Sequence, residues 1–249
     1  MTALSAHEML ERLRAADACA VSDALDSLSL PGAVTGLAPM WPDGGVTAGR
    51  ARTVRAAAAA AAGPTTHIAT PLVAVAEPGD VIVIDNAARV DVSCWGGLLA
   101  QAASQRGVAG VVVDGACRDV QDCEALGLPL YARAAVPVSA RGRIVQVAMD
   151  VPVRIGGVTV RPGDWVIADR NGIAIVPAEQ ADDVIAAAER LIERERLMAA
   201  ALRSGRSVVD VMHDRQFSLA SFTATPDRPP AGRRWGAAAN GEPAGGWQS

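Results

Sequence analysis

A chain of 249 residues, 50% of them hydrophobic, is long enough for one well-packed domain of the larger kind or two small ones. Its 23 Lys+Arg against 27 Asp+Glu give a formal net charge of -4, so it carries no basic footprint that would draw it to nucleic acid. Its longest apolar stretch, the alanine-rich residues 56–62 before Gly63-Pro64, falls far short of the roughly 20 residues a membrane helix needs, and no nucleic-acid or membrane partner is expected.

Residues 6–29 read as a helix that breaks near Pro31, with Met9, Leu10, Leu13, Ala16, Val21, Ala24, Leu25 and Leu28 at helical spacing. Ser22 and Asp23 are candidate caps for a second short helix inside it. Residues 46–55 alternate well enough for a strand, and residues 65–76 read as the next helix. Pro78-Gly79-Asp80 is a turn, and Val81-Ile82-Val83-Ile84-Asp85 is a β-branched run of the kind buried on both faces of a sheet. A polar linker over 86–93 leads to Trp95-Gly96-Gly97, and a helix then runs to Arg106 and stops at Gly107. Gly110-Val111-Val112-Val113-Asp114 is a second buried strand. Strand, helix and strand make a βαβ unit, whose ligand site is expected at the carboxyl ends of the strands. Asp85, Asp114, Arg118 and Asp119 fall at that edge. Residues 130–177 are β-rich, with Gly-Gly, Pro-Gly and Asn-Gly turn signals that imply hairpins. A last amphipathic helix is expected over 178–202. The reading is one α/β domain over residues 1–205 and an extension over 206–249, largely disordered from about 228, where Pro, Gly, Ala and Arg dominate.

Cys19, Cys94, Cys117 and Cys123 form no C-x-x-C pair, which argues against a disulfide framework and a structural zinc site. Of three histidines, His7 and His213 are peripheral, and His67, on the expected helix 65–76, reads as a structural residue, with the pocket as the alternative. Chemistry must therefore come mainly from carboxylates and arginines. Gly96 and Gly97 open a helix after a buried strand, where unpaired N–H groups at the positive end of the dipole can hold a carboxylate or phosphate. They could equally serve only to let the helix approach the sheet. Asp114-Gly115-Ala116-Cys117-Arg118-Asp119 sets a fixed cation and carboxylates beside that helix start. A carboxylate there can hold Mg²⁺ together with several waters, and arginine can fork onto a substrate carboxylate. The competing reading is an ion pair between Arg118 and Asp114 or Asp119 that pins the loop.

Three stretches, residues 78–85, Trp95-Gly96-Gly97-Leu98-Leu99-Ala100, and residues 107–115 with Arg118-Asp119, resemble in order and spacing the 4-hydroxy-4-methyl-2-oxoglutarate aldolase family, which also contains the regulator of ribonuclease activity A. The resemblance covers roughly residues 8 to 203, including residues 21–26, 48–54 and 162–177. It implies a swivelling β/β/α domain assembled as a homotrimer or homohexamer, with sites between subunits. The N-terminal residues 1–8 show no basic region followed by an apolar core, so a cytoplasmic protein is expected. The resemblance implies a lyase: a metal-dependent class II aldolase that cleaves a 4-hydroxy-2-oxo acid, such as 4-hydroxy-4-methyl-2-oxoglutarate, to pyruvate and a second oxo compound, and that also acts as an oxaloacetate decarboxylase. Carried over, Asp119 would hold the divalent metal, Mg²⁺ or Mn²⁺, and Arg118 the substrate's oxygens. Gly96, Gly97, Leu98 and Leu99 would form the substrate-binding helix start, and Glu195, or one turn-register away Glu193, would reach a neighbour's site. The metal would act as the Lewis acid for the enolate left by cleavage, and the chain contains no lysine for the Schiff-base alternative. The family pattern is departed from at Gly97, where an acidic residue is common, at Ala87-Ala88, where glycines are, and at Asn171. The alternative function is a non-catalytic binding protein like the ribonuclease regulator, which lacks the aspartate after the arginine. Asp119 favours the enzyme.

Overall fold

The structure, a computed structural model, describes residues 4–41, 45–60, 66–214 and 217. Helix α1 (Ala6–Ala15) opens on a capping box in which the Ser5 hydroxyl accepts from the Glu8 N–H and Glu8 accepts from the Ser5 N–H. Helix α2 (Ala18–Ser27) begins at Asp17, whose extended backbone and carboxylate, accepting from the Ala20 N–H at 2.8 Å, make it the N-cap. The single helix expected over 6–29 is therefore two, and the break lies at Ala16-Asp17 rather than at Ser22 and Asp23.

One mixed sheet organises the molecule. Its order is β1 (Ala33–Val34), β11 (Gly172–Val176), β10 (Trp165–Asp169), β3 (Thr47–Ala58), β4 (Asp80–Ser93), β5 (Gly110–Cys117), β6 (Leu130–Ala135) and β2 (Ala38–Pro39), with β7 (Ile144–Met149) pairing the far end of β3. The pairs β3–β4, β4–β5 and β5–β6 are parallel, and the rest of the sheet is antiparallel. The expected βαβ unit is present as β4, α4 (Gly97–Gln105) and β5, in a register that sets Asp85 opposite Asp114. The expected linker 86–93 is instead strand, joined to β5 through two register shifts. Ala87 and Ala88 adopt φ of 52 and 57° within it, a region where glycine carries no steric penalty.

Period-two alternation divides the buried strands between two faces. Ile82, Ile84, Val111 and Val113 join a core with α3 (Thr70–Val75), α4 and α5 (Val120–Ala125), while Ala48, Trp165, Ile167, Ala174 and Val176 face α1, α2 and α6 (Ala181–Arg203). Val81, Val83, Val112, Val166 and Ile175 point the other way, onto the hairpin of β8 (Val153–Ile155) and β9 (Val158–Val160). Hairpin, sheet and helices make three layers, so the α/β domain with β/β/α layering and a long C-terminal helix stands. Of the extension expected over 206–249, residues 206–214 hold α7 (Val208–His213), which packs on α6 and is closed by an Arg206–Asp214 ion pair of 2.6 Å. The disorder expected from about 228 lies outside the described residues.

Candidate functional site

The carboxyl ends of β4 and β5 and the segment after β6 are tied together by hydrogen bonds. The Ser93 N–H and hydroxyl both donate to the Val138 carbonyl, at 3.0 and 2.7 Å. The Cys94 N–H donates to the Ala116 carbonyl and the Arg118 N–H to the Trp95 carbonyl, each at 2.9 Å. Trp95, 2% exposed, anchors this junction in the core. The loop before α4 thus lies against the loop after β5, and neither can shift alone.

On that frame Arg118 and Asp119 meet the start of α4. The Gly97 N–H donates to Asp119 Oδ2 at 3.1 Å, and Arg118 Nε donates to both Asp119 oxygens at 3.1 and 3.2 Å. Asp119 adopts φ 53° and ψ 43°, a left-handed conformation that non-glycine residues hold only when their surroundings impose it. Gly96 is required for space: a Cβ there would stand 2.8 Å from Asp119 Oδ2 and 3.0 Å from Arg118 Cγ. The side chains of Arg118 and Asp119 remain 39% and 34% exposed, so the pair is open to a ligand.

A cavity of about 550 Å³ opens here, lined by Gly96, Gly97, Leu98, Leu99, Arg118 and Asp119 on the helix side. Every substrate-binding residue expected from the sequence lines it, as does Asp119. His67, Ser139 and Arg141 also line it. A second cavity, of about 450 Å³, shares Arg118 and Asp119 and extends to Met40, Gln121 and Val136.

Residues 18–175 match the model of the RraA-like family, described as Aldolase/RraA. The chain belongs to that family. Among relatives, it is 28% identical to Protein DlpA of Legionella pneumophila over 83% of this chain and 33% of that protein. It is 36% identical to a Halalkalibacterium halodurans protein named "Putative 4-hydroxy-4-methyl-2-oxoglutarate aldolase" over 46% of this chain and 54% of the relative. The chain thus spans about a third to a half of the length of these two relatives. Among solved structures, Streptomyces coelicolor RraAS2, described as an unusual member of the RNase ES inhibitor RraA protein family, superposes with a TM-score of 0.70 at 26% identity, over 79% of this chain and 98% of that one.

Within this RraA-like frame the other sequence candidates separate. Asp85 and Asp114 sit on the hairpin face: Asp114, 5% exposed, accepts from Arg133 and from the Gly156 N–H at 2.9 Å, and Asp85 accepts from the Ala87 and Arg154 N–H groups. Both tie the sheet to the hairpin. His67 is not on a buried helix; it is exposed, in the segment ahead of α3, and faces the cavity. Arg141 escaped the sequence reading, and its only signal was an Arg141-Gly142-Arg143 turn before a strand. Glu195 is exposed on α6, in the half of the molecule built on α1 and α2, and does not line the cavity of its own chain. Near it, the pKa of Cys19 is raised first by burial and then by Asp17 and other acidic neighbours. Glu193 is paired with Arg196 at 2.7 Å. Beneath the site, burial pushes the thiols of Cys117 and Cys123 up to about 12 and about 11, and raises Cys94 further.

Among the described residues, no helix is long and apolar enough to cross a membrane.

Proposed function

We propose that the chain is a divalent-metal-dependent lyase that cleaves a 4-hydroxy-2-oxo acid, of the type of 4-hydroxy-4-methyl-2-oxoglutarate, to pyruvate and a second oxo compound, and that also decarboxylates oxaloacetate. The observation that carries this reading is the meeting of Arg118, Asp119 and the α4 start at one cavity. The name of the Halalkalibacterium relative agrees with it.

The residues fit a hard cation. Asp119 offers carboxylate oxygens, and Gly96 lacks the Cβ that would press on them. A site of one or two carboxylates suits Mg²⁺ or Mn²⁺, whose remaining positions are completed by water and substrate oxygens. When bound, such an ion supplies Lewis acidity toward the 2-oxo and carboxylate oxygens. The Gly97 N–H holds Asp119, and the N–H groups of Leu98 and Leu99 beside it, at the positive end of α4, take the pyruvyl carboxylate. In cleavage the 4-hydroxyl proton passes to water as the C3–C4 bond breaks to give the second oxo compound; the electron pair left on C3 is delocalised onto the 2-oxo oxygen, which Arg118 holds by a charge-assisted hydrogen bond, and C3 then takes a proton from water to give pyruvate. In the assembled homotrimer or homohexamer, Glu195 serves a neighbouring subunit's site.

The test is pyruvate release from a panel of 4-hydroxy-2-oxo acids and oxaloacetate, with Mg²⁺ or Mn²⁺ and after exhaustive chelation. Metal-dependent pyruvate release supports the lyase. A metal-replete protein inert on the whole panel leaves the binding-protein reading, for which RraAS2 is the structural neighbour.

A further inference from the structure

Asp119 is not the only carboxylate at the start of α4. Asp122, in the first turn of α5, lies against Gly97: a Cβ built on Gly97 would stand 3.1 Å from Asp122 Cβ and 3.2 Å from its Cγ, with Oδ2 closer still. The space that a side chain at position 97 would fill is therefore occupied by the Asp122 carboxyl group. The parallel with the preceding residue is close, since the missing Cβ of Gly96 makes room for Asp119 Oδ2. Two consecutive glycines admit two carboxylates, and both carboxylates come from the same turn, where the Asp122 N–H donates to the Asp119 carbonyl at 3.1 Å. Asp122 is exposed, and among the described residues its carboxylate makes no hydrogen bond or ion pair, whereas Asp119 is held by Arg118 and the Gly97 N–H.

We infer that Asp122 is the second carboxylate of the metal site, and that it would help to hold the divalent ion beside Asp119. This rests on the metal-dependent reading above. A hard ion such as Mg²⁺ keeps several waters and takes one or two protein carboxylates, and the groups that orient its ligands and waters set affinity on the scale of about 10–100-fold. Gly97 acts as the spacer: any side chain there displaces the Asp122 carboxylate.

The test is Mn²⁺ binding to the full chain without substrate, followed by the loss of the free-ion EPR signal, for the wild type, Asp122→Asn, Gly97→Ala and Asp119→Ala. Circular dichroism confirms that each variant is folded. Asp122→Asn removes one charge from an exposed residue and should weaken Mn²⁺ about 10-fold. Gly97→Ala keeps every charge and should weaken it in the same direction by pushing Asp122 aside. Asp119→Ala should abolish binding. Wild-type affinity retained within twofold by folded Asp122→Asn overturns the inference and leaves the metal-dependent reading intact. A wild type that binds no Mn²⁺ overturns both.

Discussion

The two halves of the helix-covered face use the same residue types for opposite ends. In the half built on β10, β11 and α6, the two buried aspartates are consumed by the backbone. Asp164 accepts from the Arg161 and Ala178 N–H groups at 2.7 and 3.1 Å, and Asp169 from the Ala18 and Asn171 N–H groups at 2.9 and 2.7 Å. Arg50 there lies over the Trp165 ring and donates to the Gly163 carbonyl. In the half built on β4, β5 and α4, Arg118 and Asp119 satisfy chiefly each other, remain about a third exposed, and border a cavity. Buried polar groups with several fixed partners stiffen a fold. Partly exposed ones with a strained backbone are the groups that a ligand can recruit.

Exchanging one aspartate in each half gives the sharpest contrast. Asp119→Ala should abolish pyruvate release while leaving the denaturant midpoint close to wild type, because a loop carboxylate at the sheet edge supports little of the core. Asp169→Ala should retain kcat but lose about 1–3 kcal/mol of stability, since it orphans backbone donors at the start of α2 and in the β10–β11 turn. Equal kinetic damage from both variants would break the comparison. Chelation followed by readdition of Mg²⁺ or Mn²⁺ is expected to remove and restore turnover with no change in unfolding.

A smaller effect is expected at Gly96. An alanine there meets Asp119 Oδ2 at 2.8 Å and Arg118 Cγ at 3.0 Å, so kcat should fall by about 10–100-fold, the scale on which an ångström of misplacement acts, with the fold intact. Unchanged kcat for Gly96→Ala would show that the Arg118–Asp119 geometry is not under close control. The neighbour role of Glu195 is checked by mixing inactive Asp119→Ala subunits with Glu195→Ala subunits. Part of the activity should return in mixed assemblies, and no recovery despite proven subunit exchange would confine Glu195 to its own chain.

Much of the site was legible because its signals are local. The apolar runs 81–84 and 110–113 fixed two neighbouring parallel strands, and Gly96-Gly97 and Arg118-Asp119 follow directly from their ends. What a continuous apolar run does not carry is parity. Every position in Val81-Ile82-Val83-Ile84 is buried, so nothing in the sequence says that Asp85 and Asp114 share the hairpin face with Val81, Val83 and Val112. Expecting both at the ligand edge therefore merged a structural tie with a site. Arg141 and His67 were obscure for a different reason: they reach the cavity from segments far apart in the chain, and only the assembled sheet brings them to α4. The break at Asp17 was missed because Ala16 and Val21 keep the helical spacing across it, while the Asp17 cap acts through backbone geometry.

The smallest effect concerns the thiols beneath the site, and it separates the two halves once more. Cys19 is exposed in the first turn of α2, whereas Cys94, Cys117 and Cys123 are buried under the Arg118–Asp119 loop. At neutral pH a thiol reagent should modify Cys19 alone in the native protein and the other three only after unfolding, since the thiolate is the reactive form and burial suppresses it. The pH dependence follows from the direction of the shifts. Cys117 and Cys123 are raised by burial from 9.0 to about 12 and about 11, so the unfolded chain releases these protons first. The stability they contribute is complete below pH 9 and is lost as pH rises toward 11 to 12. Chemical denaturation of wild type and Cys117→Ala between pH 8 and 11 should therefore show the wild type declining more steeply. Parallel slopes would mean that the thiols are not shielded, and that the loop above them is looser than its backbone hydrogen bonds imply.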